Sequence, residues 1–130
     1  MDRKRLLVVD DEADVLLVLE KGLTAEGYAV IIASNGQEAI ALAQSKHPDL
    51  IILDVLMPGM DGGEVAMELK GMPDTKDIPI IFLTGMFPTR KEREDFRMVA
   101  DHVWFDKPYE ISKLINVIEN VMLEKSISLD

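Results

Sequence analysis

The chain contains no cysteine. That excludes disulfides, thiolate metal sites and thiol nucleophiles, and it fits a reducing compartment. Aromatic residues are scarce at 5%, and there are only two histidines, His47 and His102; both read as ordinary surface or strand residues. Long hydrophobic runs are missing too. The basic start, Met1 to Arg5, leads only into Leu6 to Val9, too short for a secretory signal core or a membrane span. The expectation is a cytoplasmic protein with no membrane contact. Basic residues are the minority, 14 against 24 acidic, for a net charge of −10. So acidic a chain is a poor non-specific ligand for nucleic acid or anionic lipid, and it suits cations and basic partner surfaces.

What is present is enough for one domain. At 130 residues and 48% hydrophobic, the chain is long enough and apolar enough to bury a core. Short apolar runs recur: Leu6 to Val9, Tyr28 to Ala33, Leu50 to Leu53, Ile80 to Leu83 and Val103 to Phe105. Each reads as a strand. Helical spacing fills the intervals. Asp11 to Glu26 carries Val15, Leu16, Leu19 and Leu23, with Gly27 as its stop. Asn35 and Glu38 form a capping-box pattern for a helix to about Lys46, ended by Pro48. A turn-rich loop, Met57 to Gly62, precedes a helix from about Gly63 to Lys70. Thr89 and Glu92 suggest a second capping box, opening a charged helix to about Met98. The last helix runs from Tyr109 to about Lys125. Its core stripe is Ile111, Leu114, Ile115, Ile118 and Met122, with Val117 and Val121 either widening that stripe or marking a partner surface.

Strand and helix therefore alternate five times. Strands that are continuously apolar are covered on both faces, which predicts a doubly wound α/β fold: a five-stranded parallel sheet with helices on each side. Sites in such folds lie at the carboxyl ends of the strands, near the reversal of strand order. Asp10 and Asp11 follow the first strand, Asp54 the third, Thr84 the fourth and Lys107 the fifth. Crowded carboxylates repel unless a cation joins them. Their hard oxygens suit Mg²⁺, which would leave room for phosphoryl oxygens. Lys107 and the Thr84 hydroxyl could hold such a group, and a carboxylate can itself be the nucleophile. Taken singly, each residue has a plainer explanation: a strand-end Asp as a helix cap, the lysine as a solvated charge, the threonine as a turn residue.

Several segments together resemble the response regulator receiver family, from about Lys4 to Lys125. They are Val8-Val9-Asp10-Asp11-Glu12, the run from Ile52 through Asp54 to Met57-Pro58-Gly59-Met60-Asp61-Gly62, Leu83-Thr84-Gly85 and Asp106-Lys107-Pro108. The resemblance implies a flavodoxin-like (βα)5 receiver fold and a single domain over 1–130. It makes Asp54 the phosphoacceptor, with Mg²⁺ bound by Asp10, Asp11, Asp54 and the backbone carbonyl of Leu56. Thr84 and Lys107 would contact the phosphoryl group. Thr84 and Trp104 would form a switch, where the family usually has Tyr or Phe at the Trp104 position. The implied donors are a sensor histidine kinase or a histidine phosphotransfer protein. The output would be a downstream protein partner or a missing effector domain, with dimerisation through the face of the fourth helix, fifth strand and fifth helix as a further expectation. Such a domain is not an enzyme in the usual sense; it phosphorylates itself from a donor and loses the group slowly. Leu56 and Met86 would stand near the path of the hydrolytic water and slow that loss. Asp106 adds a charge beside Lys107, which strand alternation should turn away from it.

Three alternatives remain open at this level. One is a phosphorelay intermediate. Another is a docking module that works without phosphorylation. The third is an enzyme on the same fold, but a flavin site would need a hydroxyl- and glycine-rich first loop, a dehalogenase-type phosphatase would need a second Asp two residues after Asp54, and the chain has no Gly-Lys-Ser/Thr phosphate loop.

Overall fold

The computed structural model describes residues 3–84, 103–106 and 111–128, with side chains described within 3–83 and 111–123. Its strands are β1 (Arg5–Val9), β2 (Ala29–Ala33), β3 (Leu50–Asp54), β4 (Ile80–Thr84) and β5 (Val103–Asp106). Its helices are α1 (Ala13–Ala25), α2 (Gly36–Lys46), α3 (Gly62–Lys70) and α4 (Ile111–Ser128). α4 is the helix expected last in the chain. The charged helix expected from Thr89 to Met98, with its capping box, lies outside the described residues.

All four strand pairings are parallel, and the order is β2-β1-β3-β4-β5. The continuous apolar runs explain why. Alternate residues of each run point to opposite faces, and both faces are buried. Leu7, Val9, Ile51, Leu53, Ile80 and Phe82 pack against Ala39 and Ala43 of α2 and Val65, Ala66 and Leu69 of α3. Leu6, Val8, Leu50, Ile52, Ile81 and Leu83 pack against Leu16, Leu19 and Leu23 of α1 and Leu114, Ile115 and Ile118 of α4. Val117 and Val121 are partly buried against this second core, so they widen the apolar face of α4. Burial of each such side chain contributes about 1.5–3 kcal/mol.

The helix ends follow local chemistry. Gly27, at φ +101°, closes α1 in a Schellman motif: its amide donates to the Thr24 carbonyl at 3.0 Å and the Tyr28 amide donates to the Leu23 carbonyl at 3.2 Å. That positive φ is why glycine stands there. At α2 the Asn35 side chain accepts from the Glu38 amide at 2.8 Å. The returning bond differs from the expected box: Glu38 accepts from the Ser34 amide, at 2.9 Å, one residue before the cap. α2 ends on His47 in the left-handed conformation, φ 48°, rather than at Pro48. α3 starts one residue earlier than its apolar spacing suggests, because Asp61 and Glu64 form a full capping box. Thr75, buried, donates its hydroxyl to the Leu69 carbonyl at 2.6 Å and satisfies the end of α3.

At the amino ends of the strands, β1 and β3 are tied together. The Arg5 amide donates to the Asp49 carboxylate at 2.8 Å, the Arg5 guanidinium donates to the Lys46 carbonyl at 2.6 Å, and the Asp49 amide donates to the Arg5 carbonyl at 2.8 Å. This end is built for order, and the chemistry-bearing residues gather at the other.

Candidate functional site

From β1 the chain passes to β2 on one side and then crosses back to β3 on the other side of β1, so strand order reverses between β1 and β3. That is the position where doubly wound sheets open a crevice. Val9 and Leu53 are register partners, so Asp10 and Asp54 are the next residues on the two adjacent strands. Both are deeply buried, Asp10 at 0% and Asp54 at 3% exposure.

The capping explanation for Asp10 and Asp11 fails. α1 begins at Ala13 with Glu12 at its N-cap, and no side-chain bond caps it. The Asp10 carboxylate instead accepts the Glu12 amide at 2.9 Å, while its own amide donates to the Ala33 carbonyl at 3.2 Å. These bonds hold the carboxylate at the head of the sheet. Exposed Asp11 and Glu12 stand beside it, and the carboxylate oxygens of Asp10, Asp11 and Glu12 all lie within 4.8 Å of one another. The donor set is all hard oxygen, which fits a small divalent cation such as Mg²⁺. Asp54 lies outside that tight group, and Glu12 belongs to it without having been expected as a ligand. The sequence signal for Glu12 was only its adjacency to the Asp pair, which reads equally well as helix-start acidity.

The loop after β3 wraps back onto the strand. The Val55 amide continues the ladder to the Leu83 carbonyl at 3.0 Å, and the Gly62 amide donates to the Val55 carbonyl at 2.9 Å. Met57 is buried at 8% exposure, whereas Leu56 is 61% exposed beside the Asp54 strand end. The Asp61–Glu64 capping box that anchors this loop also went unread, because a turn-rich run of Met, Pro and Gly hides a helix start.

Thr84 ends β4, and its backbone pairs in register with Asp106 of β5; Phe82 pairs with Trp104. Register partners in a parallel ladder share a face of the sheet, and residues two apart along a strand share it too. Thr84 and Asp106 lie two positions along the adjacent strands from the Phe82–Trp104 pair. The expected orientation of Asp106 relative to Lys107 lies outside the described residues. Lys107, Pro108, Met86 and His102 lie outside the described residues.

One perturbed acid lies away from this site. The Tyr28 phenol is pushed above its ordinary value, first by burial and then by the charges of Glu119 and Glu26. Among the described residues, no helix is long and apolar enough to cross a membrane.

A parallel sheet in this order, with buried carboxylates where it reverses, defines a flavodoxin-like α/β domain with an acidic cluster that could bind a metal ion. Residues 6–119 match the response regulator receiver domain, and the chain belongs to that family, whose members act in two-component signalling. A probable transcriptional regulator, ycf27, of Porphyra purpurea is 46% identical over 120 residues, covering 92% of this chain and 48% of that protein. The response regulator PleD of Caulobacter vibrioides is 52% identical over 83 residues, 63% of this chain and 18% of that protein. The chain spans about half the length of the ycf27 relatives it matches. Among solved structures, the chemotaxis protein CheY4 of Vibrio cholerae superposes with a TM-score of 0.88 at 30% identity, covering 92% of this chain and 99% of that chain.

Proposed function

We propose that this chain is a phosphoacceptor, taking a phosphoryl group from the phosphohistidine of a sensor kinase or phosphotransfer protein onto Asp54. The observation that carries the reading is the pair of buried carboxylates, Asp10 at 0% and Asp54 at 3% exposure, on adjacent strands at the reversal of strand order. Two buried acids side by side are costly unless a cation or a reacting partner uses them.

In the transfer, an Asp54 carboxylate oxygen attacks phosphorus, the phosphorus–nitrogen bond of the donor breaks, and the imidazole leaves with the electron pair and takes up a proton. The product is an acyl phosphate on Asp54. When bound, Mg²⁺ supplies charge neutralisation for the phosphoryl oxygens. Asp10 and Asp11 would hold it, with Asp54 and the Leu56 backbone carbonyl as further donors. Lys107 and the Thr84 hydroxyl would take the remaining oxygens. The Leu56 side chain, exposed at the rim, limits the approach of hydrolytic water. On this reading the domain phosphorylates itself from a donor and loses the group slowly, with no turnover of a separate substrate.

Thr84 and Trp104 lie two register positions apart on adjacent strands, which supports their reading as a coupled pair. Movement of the threonine toward the phosphoryl group would free space for the ring and alter the surface that includes β5. The listener would be a protein partner or an effector domain in a longer polypeptide. The domain unit is taken as 1–130 with its core from about 4 to 125, working in the cytoplasm.

Intact mass after incubation with Mg²⁺ and acetyl phosphate tests the assignment. A gain of one phosphoryl mass in the native chain, absent in Asp54→Ala and prevented by prior chelation, is the expected result. Labelling that persists in Asp54→Ala would overturn it. Mg²⁺ binding with no labelling from acetyl phosphate or a phosphorylated kinase would make the chain a docking module.

A further inference from the structure

Two glycines on different elements border the start of α3. Gly62 opens the helix, and a Cβ there would run into the main chain of Asp54 and Val55. Gly36 opens α2 and is buried. Among the described glycines only Gly27 and Gly59 have positive φ, so no left-handed turn requires glycine at position 36. Packing does. A Cβ built on Gly36 would stand 2.8 Å from Val65 Cγ2 in the first turn of α3, 3.0 Å from Met60 Cβ in the loop before it and 2.9 Å from Met60 Sδ. The sulfur can swing aside. Met60 Cβ is fixed to its own backbone, and a β-branched valine holds essentially one rotamer in a helix. Those two atoms yield only if α3 or its loop moves.

Ala66 and Leu69 seat the later part of α3 in the core. Its start is tied to the strand end. The Asp61–Glu64 capping box joins loop to helix. The Gly62 amide donates to the Val55 carbonyl at 2.9 Å, and the Val55 amide donates to the Leu83 carbonyl at 3.0 Å. The first turn of α3 therefore bears on the end of β3 on one side and on the first residue of α2 on the other. We infer that Gly36 is a positioning residue for the phosphoryl site: its missing side chain gives α3 the room to sit without displacing the main chain of Asp54. The inference rests on the reading of Asp54 as phosphoacceptor. It gives a part in the transfer to α2, a helix that carries none of the proposed site residues.

The test compares Gly36→Ala, Val65→Ala and the double variant, each shown to fold by circular dichroism. Ile118→Val, in the core on the other side of the sheet, is the control. Labelling rates with acetyl phosphate are measured at saturating Mg²⁺, and exchange of the Val55 and Gly62 amides is followed by NMR without metal. A misplacement of about 1 Å can cost on the order of a hundredfold in rate. Gly36→Ala should therefore label at least about fivefold more slowly, and its two amides should exchange faster. In the double variant the new Cβ occupies space the valine methyls vacate, and most of the rate should return. Ile118→Val loses stability but should label at the native rate. Native labelling by folded Gly36→Ala, a double variant no faster than Gly36→Ala, or equal slowing by Ile118→Val would overturn the inference. Should Gly36→Ala not fold, Val65→Ala carries the test, because it empties the same contact from the α3 side. Slowed labelling with faster exchange at Val55 and Gly62 then supports the role, and a native rate defeats it. If the native chain takes no label, the Asp54 assignment falls, and unchanged exchange of the two amides in Gly36→Ala would then defeat the positioning role as well.

Discussion

A Cβ placed on Gly62 would lie 2.5 Å from the backbone carbonyl oxygen of Asp54 and 3.0 Å from the Val55 Cα. The first residue of α3 thus leans directly on the strand end that bears the proposed phosphoacceptor. Alanine there gains about 1 kcal/mol of helix propensity. Overpacking against rigid backbone costs about 1–3 kcal/mol or more, and here the neighbour is main chain with no rotamer to yield. Gly62→Ala should lower the urea midpoint and also slow labelling of Asp54. An unchanged midpoint with native labelling would show that α3 shifts freely on β3.

The acidic trio should be separable by affinity. Asp10 is buried, while Asp11 and Glu12 are exposed. Asp10→Asn or Asp11→Asn should weaken Mg²⁺ by about 10- to 100-fold, the range seen when groups organising a metal site are lost. Glu12 lies in the same 4.8 Å group but outside the proposed ligand set, so Glu12→Gln removes only a nearby solvent-screened charge and its effect should stay within about fivefold. Calorimetric titration distinguishes these. A larger loss from Glu12→Gln than from Asp11→Asn would move the metal away from the strand ends.

The exposed Leu56 side chain should govern the lifetime of the acyl phosphate. Replacing it with Asn gives an incoming water a hydrogen-bonding neighbour and removes an apolar screen. Leu56→Asn should shorten the lifetime severalfold while leaving the initial labelling rate close to native. Phosphate release after removal of the donor reads this directly, and a longer lifetime would overturn the screening role.

Tyr28 gives a prediction for alkaline pH. Its phenol is raised above the ordinary value near 10, with burial as the larger cause and Glu119 and Glu26 adding to it. The fold therefore favours the neutral phenol. Its contribution is fully present below the unfolded-state value and is lost as pH rises through the higher folded-state value. Comparing urea midpoints of the native chain and Tyr28→Phe from pH 8 to 11 should show a steeper alkaline fall in the native chain. Parallel curves would mean that Tyr28 ionises without reference to the fold.

Much of this arrangement was legible because it is coded by abrupt changes in character. Leu50 to Leu53 followed by Asp54, or Ile80 to Leu83 followed by Thr84, announces a buried strand and the residue delivered at its end. Parallel order follows from strands apolar on both faces. What could not be read depends on contacts between segments that sequence spacing does not connect. Glu38 bonds to Ser34 instead of Asn35 because of how the chain turns in from β2. Gly36 looks like an ordinary helix start until Met60 and Val65, further along the chain, are set against it. Asp61 caps α3 inside a stretch whose Met, Pro and Gly residues signal only a loop. The lysine and the charged helix expected between β4 and β5 lie outside the described residues.

The two-sided burial of β1 carries a consequence for how such a domain can change over time. In many sheets the greasy side itself forbids a one-step slip, since slipping would drag oily groups into water. Leu6, Leu7, Val8 and Val9 are all at 0% exposure, so a shift by one would exchange like for like and the interior would scarcely object. The polar residues at either tip do the counting: the Arg5 guanidinium on the Lys46 carbonyl at one and the buried Asp10 carboxylate at the head of the sheet at the other. A lineage can therefore swap aliphatic residues within this strand with little consequence, whereas a single inserted or deleted codon would carry the carboxylate off its station while the hydrophobic interior survived. Length, more than composition, is what inheritance must conserve in β1.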